Sequence, residues 1–111
     1  MELQLTTWER MALLNVLGEL RGNLATLRRA GKAMDALELS DEERALVHFQ
    51  TVTTPQGEVG YQWLDSDHSF AVEIADPEAA ALLKQAAAQY EGWLVSDREG
   101  VEALMAKLGV E

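Results

Sequence analysis

A chain of 111 residues, 48% hydrophobic and 25% charged, suits one domain with one continuous core and is too short for two. Its lack of cysteine excludes a disulfide framework, a zinc knuckle, an iron–sulfur cluster and a thiol nucleophile. A formal charge of −10 opposes a phosphate backbone and argues against direct nucleic-acid binding.

The charge is uneven. Residues 1–45 hold six basic and eight acidic groups, and residues 46–111 hold three and eleven, so the second part carries −8. An acidic surface of that kind favours a basic partner, although net charge also serves solubility alone. The stretch Met1 to Leu5 carries Glu2 in place of a positive leader segment, and apolar runs such as Met11 to Leu14 fall far short of a bilayer span. A cytosolic location, with no membrane association, is the expectation.

Thr6-Thr7-Trp8-Glu9 reads as a capping box that opens a first helix. Trp8, Met11, Leu13, Leu14, Val16, Leu17 and Leu20 cover more than one stripe of it, which predicts packing on two sides. Asn23 caps a second helix from about Leu24 to Leu37, with Leu24, Leu27, Met34 and Leu37 on a face that also holds Gly31, a candidate helix crossing. Ser40-Asp41-Glu42-Glu43 is the clearest capping box and opens a brief third helix.

After about Leu46 the period changes to two. Val47, Phe49 and Thr51, then Val59, Tyr61 and Trp63, then Phe70, Val72 and Ile74 predict a three-stranded antiparallel meander. Thr54-Pro55-Gln56-Gly57 forms the first turn and Asp65-Ser66-Asp67-His68 the second. Asp76-Pro77-Glu78 is an N-cap, an N1 proline and a first-turn acid for a helix running to about Tyr90, with Ala79, Leu82, Leu83, Ala86 and Tyr90 buried. Gly92 ends it. Ser96-Asp97-Arg98-Glu99 reads as a last capping box, before an amphipathic helix with Val101, Leu104, Met105 and Leu108 inward and Gly109 at its end.

The expected architecture is a single α+β domain over residues 1–111: N-terminal helices, a three-stranded meander and two C-terminal helices. Its expected core is Trp8, Leu14, Leu17, Leu27, Phe49, Tyr61, Phe70, Val72, Leu83 and Leu104.

The segments Leu5-Thr6-Thr7-Trp8-Glu9-Arg10, Gly22-Asn23-Leu24-Ala25-Thr26-Leu27, Leu39-Ser40-Asp41-Glu42-Glu43, Val72-Glu73-Ile74 and Glu91-Gly92-Trp93-Leu94 resemble a family of small uncharacterised proteins of tailed bacteriophages and prophages. The resemblance runs nearly end to end. It implies phage origin, a host-cell cytoplasmic setting and an unknown biochemical role, and because it rests on caps, turns and core positions it implies no active site.

Candidate chemistry is sparse. His48 reads as a strand residue, while His68 stands beside Asp65 and Asp67 in a group that offers mixed metal ligands but reads better as a solvated turn. An EF-hand fails there, because Phe70 stands where glycine is needed and Asp76 where a bidentate glutamate is needed. Glu73, between Val72 and Ile74, is the nearest approach to a catalytic acid, on the outer sheet face. Arg21, Arg28, Arg29 and Lys32 form the one basic cluster, read as a solvated helix face. No catalytic residue, metal or cofactor is expected.

Trp63 and Trp93 are candidate anchors for a partner, with Trp63 favoured for the core. The expected function is non-catalytic binding of a protein by a monomer or small homo-oligomer, through Trp93 ringed by Glu91, Asp97, Glu99 and Glu102. A DNA-mimic inhibitor is its sharpest form. A virion structural or assembly component and a small enzyme are the alternatives.

Overall fold

A computed structural model describes residues 1–64 and 69–110. The chain begins with strand β1 (Glu2–Thr6), in which Leu3 and Leu5 turn inward and Glu2 and Gln4 outward. The Thr6 hydroxyl then accepts from the Glu9 backbone N–H while the Glu9 carboxylate accepts from that of Thr6, and this capping box opens helix α1 (Thr7–Gly18). Helix α2 (Leu24–Leu37) is capped by Asn23, and helix α3 (Asp41–Leu46) by the reciprocal pair Ser40 and Glu43.

Strands β2 (Gln50–Thr53) and β3 (Val59–Gln62) form a hairpin whose turn closes with the Gly57 N–H donating to the Thr54 carbonyl at 2.9 Å. Gly57 has φ +85°, a left-handed conformation that glycine adopts without strain. Strand β4 (Ser69–Glu73) leads to helix α4 (Pro77–Gln89), where Asp76 accepts from the Glu78 and Ala79 N–H groups and Pro77 stands in the first turn. A 3-10 turn over Val95–Asp97 precedes helix α5 (Arg98–Leu108), which Gly109 ends at φ +77°.

The fold is α+β, but the sheet is not a three-stranded meander. Strand β4 pairs antiparallel with β1, in the register Leu3↔Val72 and Leu5↔Phe70, and β2–β3 stays a separate two-stranded sheet. The reason is burial: β1 offers β4 an alternating strand whose Leu3 and Leu5 continue the face of Val72, whereas every residue of the hairpin strands is exposed or half-buried. The predicted turn Asp65-Ser66-Asp67-His68 lies outside the described residues. His48 is not on a strand but follows α3 with φ +52°, exposed, next to fully buried Val47.

One cluster forms the core, with Leu5, Leu13, Leu37, Leu83 and Leu104 fully buried. Helix α1 packs against α2, α4 and β1, as its apolar width predicts, and Leu17 lies in this core with Val72. Leu27 and Tyr61 do not; they are 51% and 52% exposed. Helix α2 instead buries Ala30, Ala33 and Leu37 on the side facing α4, which brings Ala79, Ala80, Leu83, Ala86 and Ala87. Small side chains let the two backbones approach, and that gain outweighs the larger area of Leu24 and Leu27 on the next face. Gly31 has no neighbour within 4 Å of a Cβ position, so it marks no crossing.

Trp8, Leu14, Phe49 and Phe70 are half-buried. Phe49 stacks on Tyr61 at 5.4 Å and on Trp63 at 6.3 Å between ring centroids, so these aromatics form a cluster on the hairpin itself. Among the described residues no helix is long and apolar enough to cross a membrane.

Candidate functional site

Helix α4 ends at Gln89, and a link without helix or strand follows, extended at Tyr90 and at Leu94. A side chain on Gly92 would strike the Tyr90 ring, so glycine here lets that ring lie against its own backbone. Tyr90 in turn meets Trp93 edge-on, with ring centroids 5.1 Å apart and planes at 80°. The Trp93 Nε1–H points to the Ala87 carbonyl at 3.4 Å.

Trp93 is therefore half-buried, anchored on one side by α4 and open on the other. Its open side lines a cleft of about 390 Å³ with Ala88, Val101, Glu102, Met105 and Val110. Directly after it, Leu94 and Val95 are 65% and 88% exposed. Two large apolar side chains are thus held in solvent next to a tryptophan by a short 3-10 turn, in which the Asp97 N–H donates to the Leu94 carbonyl at 3.0 Å.

Glu91, Glu99 and Glu102 are exposed, and Asp97 is half-buried. Glu99 and Glu102, three apart on α5, share one helix side, and Glu102 reaches the Trp93 cleft. The capping box predicted at Ser96 does not form; Asp97 occupies the N-cap position and makes no side-chain capping bond. Ser96 lies inside the 3-10 turn, in helical backbone, whereas an N-cap residue stands outside it. Arg98 is the one basic residue between Glu91 and Glu102.

Glu73 is exposed on β4, directly across from Glu2 of β1. Among the four basic residues near α2, Arg29 pairs with Glu78 at 3.0 Å and Lys32 with Asp76 at 2.9 Å, tying α2 to the first turn of α4. The hydrogen bond from Lys32, followed by those from the Ala79 and Glu78 backbones, holds the Asp76 carboxyl below its ordinary range. Asp65, Asp67 and His68 lie outside the described residues, and among the rest no group of three or more His, Asp or Glu side chains gathers as metal ligands.

The sequence assigns no role to Leu94 and Val95, in the link after α4, or to Arg10, which is 2% exposed. The signal for Arg10 was its place on the face of Leu13 and Leu17, at i, i+3 and i+7. No protein family, curated protein or solved structure matches the chain.

Proposed function

We propose that this chain is a non-catalytic accessory protein of phage type that binds a basic protein partner. The contact surface is the link and first turns that follow α4: Trp93, Leu94 and Val95 as apolar anchors, with Glu91, Asp97, Glu99 and Glu102 around them. The observation that carries this reading is the exposure of Leu94 and Val95 beside an immobilised tryptophan. Leaving two such side chains in water forgoes about 1.5–3 kcal/mol each, which a partner recovers on covering them. The adjoining carboxylates select a cationic partner and speed its approach.

The test is capture by immobilised protein from lysate of the cells that make it, comparing wild type with a Leu94→Ser/Val95→Ser variant and with Glu99→Lys/Glu102→Lys. The reading expects one basic protein retained by wild type and lost by both variants. Equal capture by all three would reject this surface. Both variants alter exposed side chains, so folding is preserved and a loss reports on contact.

A further inference from the structure

A second cleft, of about 650 Å³, runs between α1 and the β2–β3 hairpin. Trp8, Met11, Leu14, Met34, Tyr61 and Trp63 line it, none of them fully buried. Its existence follows from the topology. Because β4 pairs with β1, the hairpin is left standing off from α1, tied at its base by the Leu64 N–H to the Val47 carbonyl at 2.9 Å and carried on α3. The volume lies within the range of sites that bury a ligand of drug size or a few large side chains. Two methionines and two tryptophans give it an adaptable apolar lining.

Its polarity is one-sided. Among the described residues the charged groups lining the cleft are Glu19 and Glu38. Glu19 is the C-cap of α1 and Glu38 the C-cap of α2, and neither helix carries a basic residue in its last turn. Glu19 therefore adds to the partial negative charge of the α1 C-terminus, whereas at the α2 C-terminus, where the Arg10 guanidinium serves the Leu37 and Glu38 carbonyls, Glu38 brings its carboxylate alone. Two guanidiniums stand near Glu38 and both are engaged elsewhere: that of Arg10 on the Leu37 and Glu38 carbonyls and the Glu43 carboxylate, and that of Arg44, in an adjoining cleft, on the Phe49 ring at 5.4 Å and the Leu39 carbonyl at 3.3 Å.

We infer that this cleft is a docking groove for a basic amphipathic helix, whose apolar stripe enters between Met11, Met34, Tyr61 and Trp63 while its lysines or arginines meet Glu19 and Glu38. Charge complementarity selects that occupant: a second copy of this chain, at −10, or an anionic lipid surface would be repelled. The mode is a helix in a groove, read by anchors at i, i+3, i+4 and i+7. It uses residues other than the Trp93 surface and is tested apart from it.

The probe is an amidated leucine–lysine peptide of about four helical turns, with leucine at i, i+3, i+4 and i+7 spacing, titrated calorimetrically into the whole chain. Two controls accompany it: the same composition in scrambled order, and the same leucine pattern with glutamate for lysine. Two charge reversals of equal size separate the groove from bulk attraction. Glu19→Lys/Glu38→Lys is expected to weaken the peptide by about tenfold or more, and Glu2→Lys/Glu73→Lys, at exposed positions on β1 and β4 outside both surfaces, by less than about twofold. Met11→Ser, which leaves every charge in place, is expected to weaken it by at least about threefold. Absence of binding by the patterned peptide, equal binding of the scrambled one, or equal losses from the two reversals would overturn the groove. The last outcome would mean that net charge alone holds the peptide, and it would leave the Trp93 surface untouched.

Discussion

Arg10 of α1 and Glu43 of α3 meet at 2.8 Å, 33 residues apart, with the arginine side chain 2% exposed and the glutamate 21%. The same guanidinium donates to the Leu37 carbonyl at 2.8 Å and to that of Glu38, capturing the C-terminus of α2. One side chain thus joins α1, α2 and α3. The guanidinium suits the position because its planar fork serves a carboxylate and two carbonyls at once.

Arg10→Met is expected to lower stability by about 3 kcal/mol, since it strands a buried carbonyl as well as a carboxylate. Arg10→Lys should recover only part, because an ammonium cannot reach all three acceptors in one plane. Urea unfolding of the two variants checks both statements. Equal midpoints for Arg10→Met and wild type would refute the pin.

Partial burial pushes the Glu43 carboxyl up, but the hydrogen bond from Arg10, the Ser40 backbone N–H and the Arg10 charge together outweigh it, and the net shift is downward from 4.5. A lowered folded value means that the stabilisation is fully present above about pH 4.5 and is lost as pH falls through the folded value. Glu43→Gln is therefore expected to be less stable at neutral pH and to show a shallower loss on acidification. Thermal unfolding from pH 7 to pH 3 reads both.

Glu2 and Glu73 face each other across β1 and β4. Like charges directly opposite in an antiparallel pair are destabilising, so Glu2→Lys should raise stability by about 0.5 kcal/mol, and the double exchange Glu2→Lys/Glu73→Lys should abolish the gain. A double-mutant cycle measures the term.

Leu17→Ala is expected to cost about 2 to 5 kcal/mol, because Leu17 is 3% exposed where α1 meets the rest of the core. Leu27→Ala, at 51% exposure, should cost under about 1 kcal/mol. The contrast between the two leucines distinguishes the observed packing of α2 from the one its sequence pattern suggests.

The helices were legible because their signals are local. Thr6 with Glu9, Asn23, Ser40 with Glu43, Asp76 with Pro77, and Gly109 each satisfy backbone groups within a few residues, and all of them stand where the sequence puts them. Strand pairing is not local. Glu2-Leu3-Gln4-Leu5-Thr6 alternates cleanly, yet its partner lies nearly 70 residues on, and nothing in the period of β4 says that it prefers β1 to the hairpin. On α2 the large side chains Leu24 and Leu27 mark one face by size, but the interface with α4 is built mainly from alanines, whose value lies in close approach and not in area. At the candidate surface, the sequence drew attention to Trp93 and the acids, while the exposure of Leu94 and Val95 depends on a 3-10 turn that no residue announces.

The measurement closest to the central claim is the kinetics of the captured partner on this chain. With steering by Glu99 and Glu102, the association rate at low salt is expected to fall at least about fivefold in Glu99→Lys/Glu102→Lys and to converge on wild type at high salt. With Leu94 and Val95 as anchors, Leu94→Ser/Val95→Ser should leave association within about twofold and speed dissociation by about tenfold or more. An association rate unchanged by the reversal at low salt, together with a dissociation rate unchanged by the serine pair, would contradict the proposal that this surface binds a basic protein.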